Sequence, residues 1–151
     1  MEEAQCIVAM AKVLQMENES FKIITPYDAQ RALIEDLLQE AELHFANKCF
    51  NVDSFQGTFF KENFLSLLKS SAGNEDEIII LSLVRSSELG FLADYRRTNV
   101  MLTRCKKTLF VCSSKAFLLK GPGANSLVGR MAASFGDAIW IELEDIAQSN
   151  F

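Results

Sequence analysis

The chain has 151 residues, 49% of them apolar, and a formal net charge of −5. That length and apolar share support one sizeable core and do not call for two. The acidic balance excludes a protein that coats nucleic acid by unspecific attraction, which draws on clustered Lys and Arg, so any such contact must be local. The four cysteines, Cys6, Cys49, Cys105 and Cys112, form no Cys-x-x-Cys pair, and the single histidine is His44. Neither a zinc site nor a disulfide framework follows from that pattern, and a reducing cytoplasmic or nuclear compartment is the expectation. No run of about 18 apolar residues marks a membrane span, and the acidic start Met1-Glu-Glu-Ala is unlike a signal peptide.

Taken in chain order, Ala4, Ile7, Val8, Ala11 and Leu14 recur at helical spacing over residues 2–16, and the apolar run Phe21-Lys-Ile-Ile-Thr25 reads as a strand ended by Pro26. Leu33, Ile34, Leu37, Leu38 and Ala41 give an amphipathic helix over residues 28–43. Short strands are predicted at 49–52, 77–84 and 108–112, the second with a continuous apolar centre. A helix is expected at about 126–133 and a last strand at Ala138-Ile-Trp-Ile141. Continuous apolar strands alternating with helices predict an α/β fold, a parallel sheet covered on both faces. The chain shows no internal repeat and no low-complexity linker.

In such sheets ligands sit beyond the carboxyl ends of the strands, where Thr25, Pro26 and Tyr27, residues 53–57, residues 85–87, and Ser113 with Ser114 fall. The same polar residues also serve as ordinary helix caps. Residues 90–107 place Arg96, Arg97, Arg104, Lys106 and Lys107 around Val100, Met101 and Leu102, just before an apolar strand. An arginine at a helix-to-strand junction can reach a phosphate across a cleft; on charge pattern alone the segment reads first as a solvated basic helix face.

Three segments, in order, resemble the second RecA-like domain of superfamily 1B helicases of the Upf and senataxin type. They are Ile23-Ile-Thr-Pro-Tyr-Asp-Ala-Gln30, then Val52-Asp-Ser-Phe-Gln-Gly57 with residues 74–86, and then residues 90–107. The resemblance implies a three-layer RecA-like fold of the P-loop NTPase type, incomplete at its N-terminus, over residues 1–145, with 146–151 as a polar tail. It implies that Arg104 reaches the γ-phosphate as a catalytic arginine finger, an effect worth on the order of 10³ to 10⁵ in rate. The family's Gln-Gly-x-Glu turn maps to Gln56, Gly57 and Glu75 as nucleotide-binding residues, and glycine suits close approach of backbone to phosphate. Thr25, Pro26, Asn51 and Ser54 correspond to places where family members touch the nucleic-acid backbone, a contact that positions a strand without reading its bases.

The departures are specific. The family usually has Ser or Thr where Asn51 stands, and alanines where Met101 and Cys105 stand. Nothing in the chain resembles the Gly-x-x-x-x-Gly-Lys-Ser/Thr loop or the acidic magnesium motif, and the family's Gln-Tyr-Arg-Met segment does not occur. Residues 58–73 interrupt two pieces that are contiguous in the family, reading either as intron-derived sequence retained in frame or as a real insertion. Their Phe60, Phe64, Leu67 and Leu68 share one helical face. The expectation is therefore the C-terminal half-site of an ATP-dependent RNA or DNA helicase, inactive as an ATPase on its own. ATP and Mg²⁺ would be bound only together with a first RecA-like domain, and single-stranded RNA or DNA would be held by weak backbone contacts. The alternative is a non-catalytic interaction module, or degenerate helicase fragment, docking through the apolar face of the inserted segment.

Overall fold

The computed structural model describes residues 2–52, 76–84, 87–142 and 145–146. Helix α1 (Glu2–Met16) buries Ala4, Ile7, Met10, Ala11 and Leu14 on one stripe, and Glu2 and Glu3 in its first turn complement the helix dipole. It stops at Asn18, whose positive φ of 59° is tolerated better by Asn than by most residues. Strand β1 (Phe21–Thr25) follows, then helix α2 (Asp28–Glu40) and strand β2 (Cys49–Asn51). Helix α2 ends one turn before the predicted limit because the Glu42 backbone turns left-handed (φ 56°) while the Leu43 amide donates back to the Leu38 carbonyl. Strand β3 (Asp76–Ser82), a 3₁₀ turn (Gly90–Ala93), helix α3 (Tyr95–Leu102) and strand β4 (Cys105–Cys112) complete the sheet. Short helix α4 (Lys115–Leu119), a 3₁₀ turn (Pro122–Asn125) and helix α5 (Leu127–Phe135) cover it.

The described strands form one parallel sheet in the order β2-β1-β3-β4. From β1 the chain crosses outward to β2, and from β3 it crosses outward in the opposite direction to β4. Right-handed crossovers in opposite directions put their helices on opposite faces, and the core divides accordingly. One cluster joins α1 and α2 to Phe21, Ile23, Ile78 and Ile80; the other joins Leu92, Met101, Phe117, Leu118 and Val128 to Ile24, Ile79 and Leu81. Alternate residues of β1 and β3 thus face alternate layers, as a pleated strand requires. The result is the three-layer RecA-like α/β architecture that the sequence predicts.

Further sequence expectations change. Strand β3 ends at Ser82 rather than Val84, whose backbone turns to φ 63°. Strand β4 begins at Cys105 rather than Thr108, because Cys105 already pairs with Asp76, one register shift before the regular pairing that starts at Ile78 and Thr108. Ala138–Ile141 is not a strand: Gly136, at φ 73°, breaks the chain after α5, and a 3₁₀ turn (Asp137–Ile139) follows. The Trp140 ring packs against the second cluster with the Lys115 ammonium 5.1 Å from its centre, while Ile139 and Ile141 stay exposed. A four-residue apolar run has no periodicity that distinguishes a strand from an anchored turn. Ile146, at the start of the expected polar tail, is buried in the first cluster.

Candidate functional site

The junction between β1 and β3, where the two crossovers diverge, is the topological switch point, and the crevice beyond its carboxyl ends is where open parallel sheets bind ligands. A polar network occupies it. The Gln30 amide donates to Ser82 Oγ at 3.1 Å, Ser82 Oγ donates to Glu3 Oε1 at 2.6 Å, and the Val84 amide donates to the same carboxylate oxygen at 3.0 Å. Ser82 is fully buried. Burial pushes the Glu3 carboxyl above its ordinary value, and the hydrogen bonds from Ser82 and the Val84 backbone oppose that rise. Val84, β-branched and at φ 63°, sits in a backbone region such residues rarely visit. Strain of this kind concentrates at working sites.

Of the residues expected to meet nucleic acid, Thr25, Pro26 and Asn51 all fall at this carboxyl edge. Thr25 is buried, and its hydroxyl accepts from the Tyr27 amide at 3.4 Å, a local turn bond. Asn51 is 7% exposed, and its amide donates to the Asp28 carboxylate at 2.9 Å, tying β2 to the first turn of α2. Pro26 is half-buried beside them. Ser54, Gln56, Gly57, Glu75 and the insertion 58–73 lie outside the described residues.

Arg104 lies at the other end of the sheet. Asp94 caps α3 by accepting from the amides of Arg96 (3.0 Å) and Arg97 (3.1 Å), and Thr103 Oγ1 donates to the carbonyls of Asn99 (3.0 Å) and Val100 (3.1 Å) at its end. Both ends of the short helix are thereby closed, and Arg104 takes the turn position just before β4. It is half-buried, with its Nε enclosed. Arg97 stacks over the Phe91 ring at 4.7 Å, and the Phe91 amide donates to the Tyr27 hydroxyl at 3.3 Å, so the segment is pinned to the loop after β1. Met101 and Cys105, where the resembling family carries alanines, find room: Met101 is buried in the second cluster, and the Cys105 thiol donates to the Glu77 carbonyl at 3.6 Å. Eight residues of β4 separate Arg104 from Ser113, roughly 30 Å at a strand's rise per residue.

The sequence reading missed Glu3, Gln30 and Ser82 as a unit. Their only local signals are an acidic residue in a first helical turn and a serine ending an apolar strand, neither of which names a partner. Among the described residues, no cluster of His, Cys, Asp or Glu could hold a metal ion, and no helix is long and apolar enough to cross a membrane.

A parallel sheet covered by helices on both faces, with its switch point between β1 and β3, is a RecA-like α/β domain. The comparisons agree: the family described as an AAA domain matches residues 1–116. The chain belongs to that family, as a domain of Upf-type superfamily 1 helicases. It is 31% identical over 127 residues to an uncharacterized ATP-dependent helicase of Methanocaldococcus jannaschii, covering 84% of this chain and 16% of that protein. It is 39% identical over 114 residues to regulator of nonsense transcripts 1 of Dictyostelium discoideum, covering 70% and 7%. It is also 39% identical over 99 residues to DNA polymerase alpha-associated DNA helicase A of Schizosaccharomyces pombe, covering 64% and 12%. The chain thus spans about a sixth or less of the length of these relatives.

Proposed function

We propose that this domain supplies the arginine finger of an ATP-dependent helicase and holds a nucleic-acid backbone at the opposite edge of its sheet. The observation that carries the reading is the seat of Arg104 in the closed turn between α3 and β4. A planar guanidinium on such a turn can swing a short distance toward a phosphate presented by a second domain. There it would neutralise charge developing on the transferred phosphoryl group. Lysine, a point charge without the fork, is a poor substitute. ATP and Mg²⁺ belong to the whole helicase; the described residues offer no cluster of His, Cys, Asp or Glu for the ion.

Nucleotide near Arg104 and a single strand near Thr25, Pro26 and Asn51 would lie at opposite ends of the parallel sheet. A change felt at Arg104 would then be passed along β3 and β4, whose packed side chains make them a stiff connection. The single strand would be gripped through its backbone with slight sequence preference.

The test is a chimera in which this chain replaces the matched region of the archaeal relative. The chimera should turn over ATP in response to single-stranded RNA or DNA. Arg104→Ala should lower kcat on the order of 10³-fold or more, with single-strand affinity in the absence of nucleotide retained, and Arg104→Lys should rescue little. An Arg104→Ala chimera with undiminished kcat sinks the assignment.

A further inference from the structure

Cys6, on the second turn of α1, and Cys112, the last residue of β4, meet where the helix crosses the edge of the sheet. Cys6 packs against the buried cluster that contains Cys112, and both line an open groove of about 1080 Å³. Cys112 is buried, whereas Cys6 is half-buried. Both are free thiols, as are Cys49 and Cys105.

We propose that Cys6 and Cys112 form a reversible disulfide in response to hydrogen peroxide, clamping α1 onto the carboxyl end of β4. Cys6 attacks first. Its thiolate sulfur bonds to one peroxide oxygen as the O–O bond breaks, leaving sulfenic acid on Cys6 and releasing hydroxide, which takes up a proton to become water. The Cys112 sulfur then attacks the Cys6 sulfur, the S–O bond breaks, and the departing hydroxide leaves as a second water with the Cys112 thiol proton. Two thiols lose two electrons in all, and one peroxide gains them. The division of roles follows from exposure: Cys6 is half-buried and open to the groove, whereas Cys112 is buried, and interaction with Cys112 lowers the Cys6 pKa against the opposing effect of burial. A lowered pKa, access from the groove and a neighbouring resolving thiol are what a peroxide-sensitive cysteine needs. The other two are poorly suited, since burial pushes Cys49 up to about 12 and also raises Cys105.

The bond would add a covalent tie between α1 and β4, which share the first core cluster. Glu3, one turn before Cys6, is bonded to Ser82 and the Val84 amide, so the clamp would stiffen the carboxyl ends of β3 and β4 together. Such a link suits a transient, regulatory disulfide in a reducing compartment.

The experiment treats the purified full chain with hydrogen peroxide, then with dithiothreitol. Expected are the loss of two of its four thiols, a proteolytic peptide pair joined through Cys6 and Cys112, slowed hydrogen exchange in the first two turns of α1, and full reversal by dithiothreitol. Cys112→Ser should leave a sulfenic acid on Cys6 that dimedone captures, and Cys6→Ser should abolish both products. If Cys112→Ser does not fold, the joined peptide in the unaltered chain and its absence in Cys6→Ser still decide the matter. A bond between chains, a bond to Cys49 or Cys105, oxidation of Cys6 that never engages Cys112, or a joined peptide without slowed exchange in α1 overturns the proposal.

Discussion

Glu3 Oε1 accepts a hydrogen bond from Ser82 Oγ at 2.6 Å, joining the first turn of α1 to the buried end of β3. This carboxylate is partly desolvated, so its pKa lies above the ordinary 4.5. Between 4.5 and that raised value the folded chain binds more protons than the unfolded one, and stability falls as pH rises. Its contribution is fully present below the unfolded value and is gone above the folded one. Glu3→Gln keeps an oxygen that can accept from Ser82 and Val84 but carries no charge. Urea unfolding at a series of pH values from 4 to 8 should show a smaller acid-to-neutral decline in the variant, and an unchanged decline would remove Glu3 as its source.

The bond between Asn51 and Asp28 separates structural work from ligand contact. Asn51→Ala should cost about 1 kcal/mol, the usual worth of a partly buried hydrogen bond, and the double variant with Asp28→Ala should show a coupling of similar size. If Asn51 also meets a nucleic-acid backbone, Asn51→Ala will weaken single-strand affinity at temperatures where the variant is fully folded. Asp28→Ala, which removes a negative charge from that edge, should not weaken it. Equal behaviour of the two variants in binding would reduce Asn51 to a tether.

Gly129 packs the first turn of α5 directly on the 3₁₀ turn below it, where an added Cβ would overlap the Gly123 carbonyl oxygen and backbone atoms of Ala124. Backbone cannot yield as a flexible side chain can, so Gly129→Ala should destabilise by about 1 to 3 kcal/mol. Arg130, the next residue, is exposed, and Arg130→Ala should move stability by no more than about 0.5 kcal/mol. Thermal midpoints of the two variants give the comparison directly.

Without a phosphate-cradling loop in its sequence, the purified chain should release phosphate from ATP no faster than background, with or without single-stranded nucleic acid. An arginine finger needs a phosphate held in place before it can stabilise charge on it. Turnover that persists in Arg104→Ala after repurification would mean that catalysis has another seat.

Helix α1, strand β1 and helix α2 were legible from the spacing of Ile7, Ala11 and Leu14, of Ile23 and Ile24, and of Ile34 and Leu38, because local periodicity reports which face of an element is buried. The alternation of strands and helices pointed to the parallel three-layer class, and the motif segments pointed to the helicase family. Strand order was not legible, and neither was the edge to which each motif would go. Local pattern says that Thr25 ends a strand and that Arg104 stands shortly before one; only the assembled sheet puts them at opposite ends. The run at 138–141 looked like a strand because four apolar residues carry no period of their own. Its conformation depends on Gly136 breaking the chain and on the Trp140 ring finding the second core cluster. The hydrogen bonds of Asn51 with Asp28 and of Glu3 with Ser82 join residues 23 and 79 positions apart. Contacts at such separations are created by packing, after each segment has already taken the shape its own residues prefer.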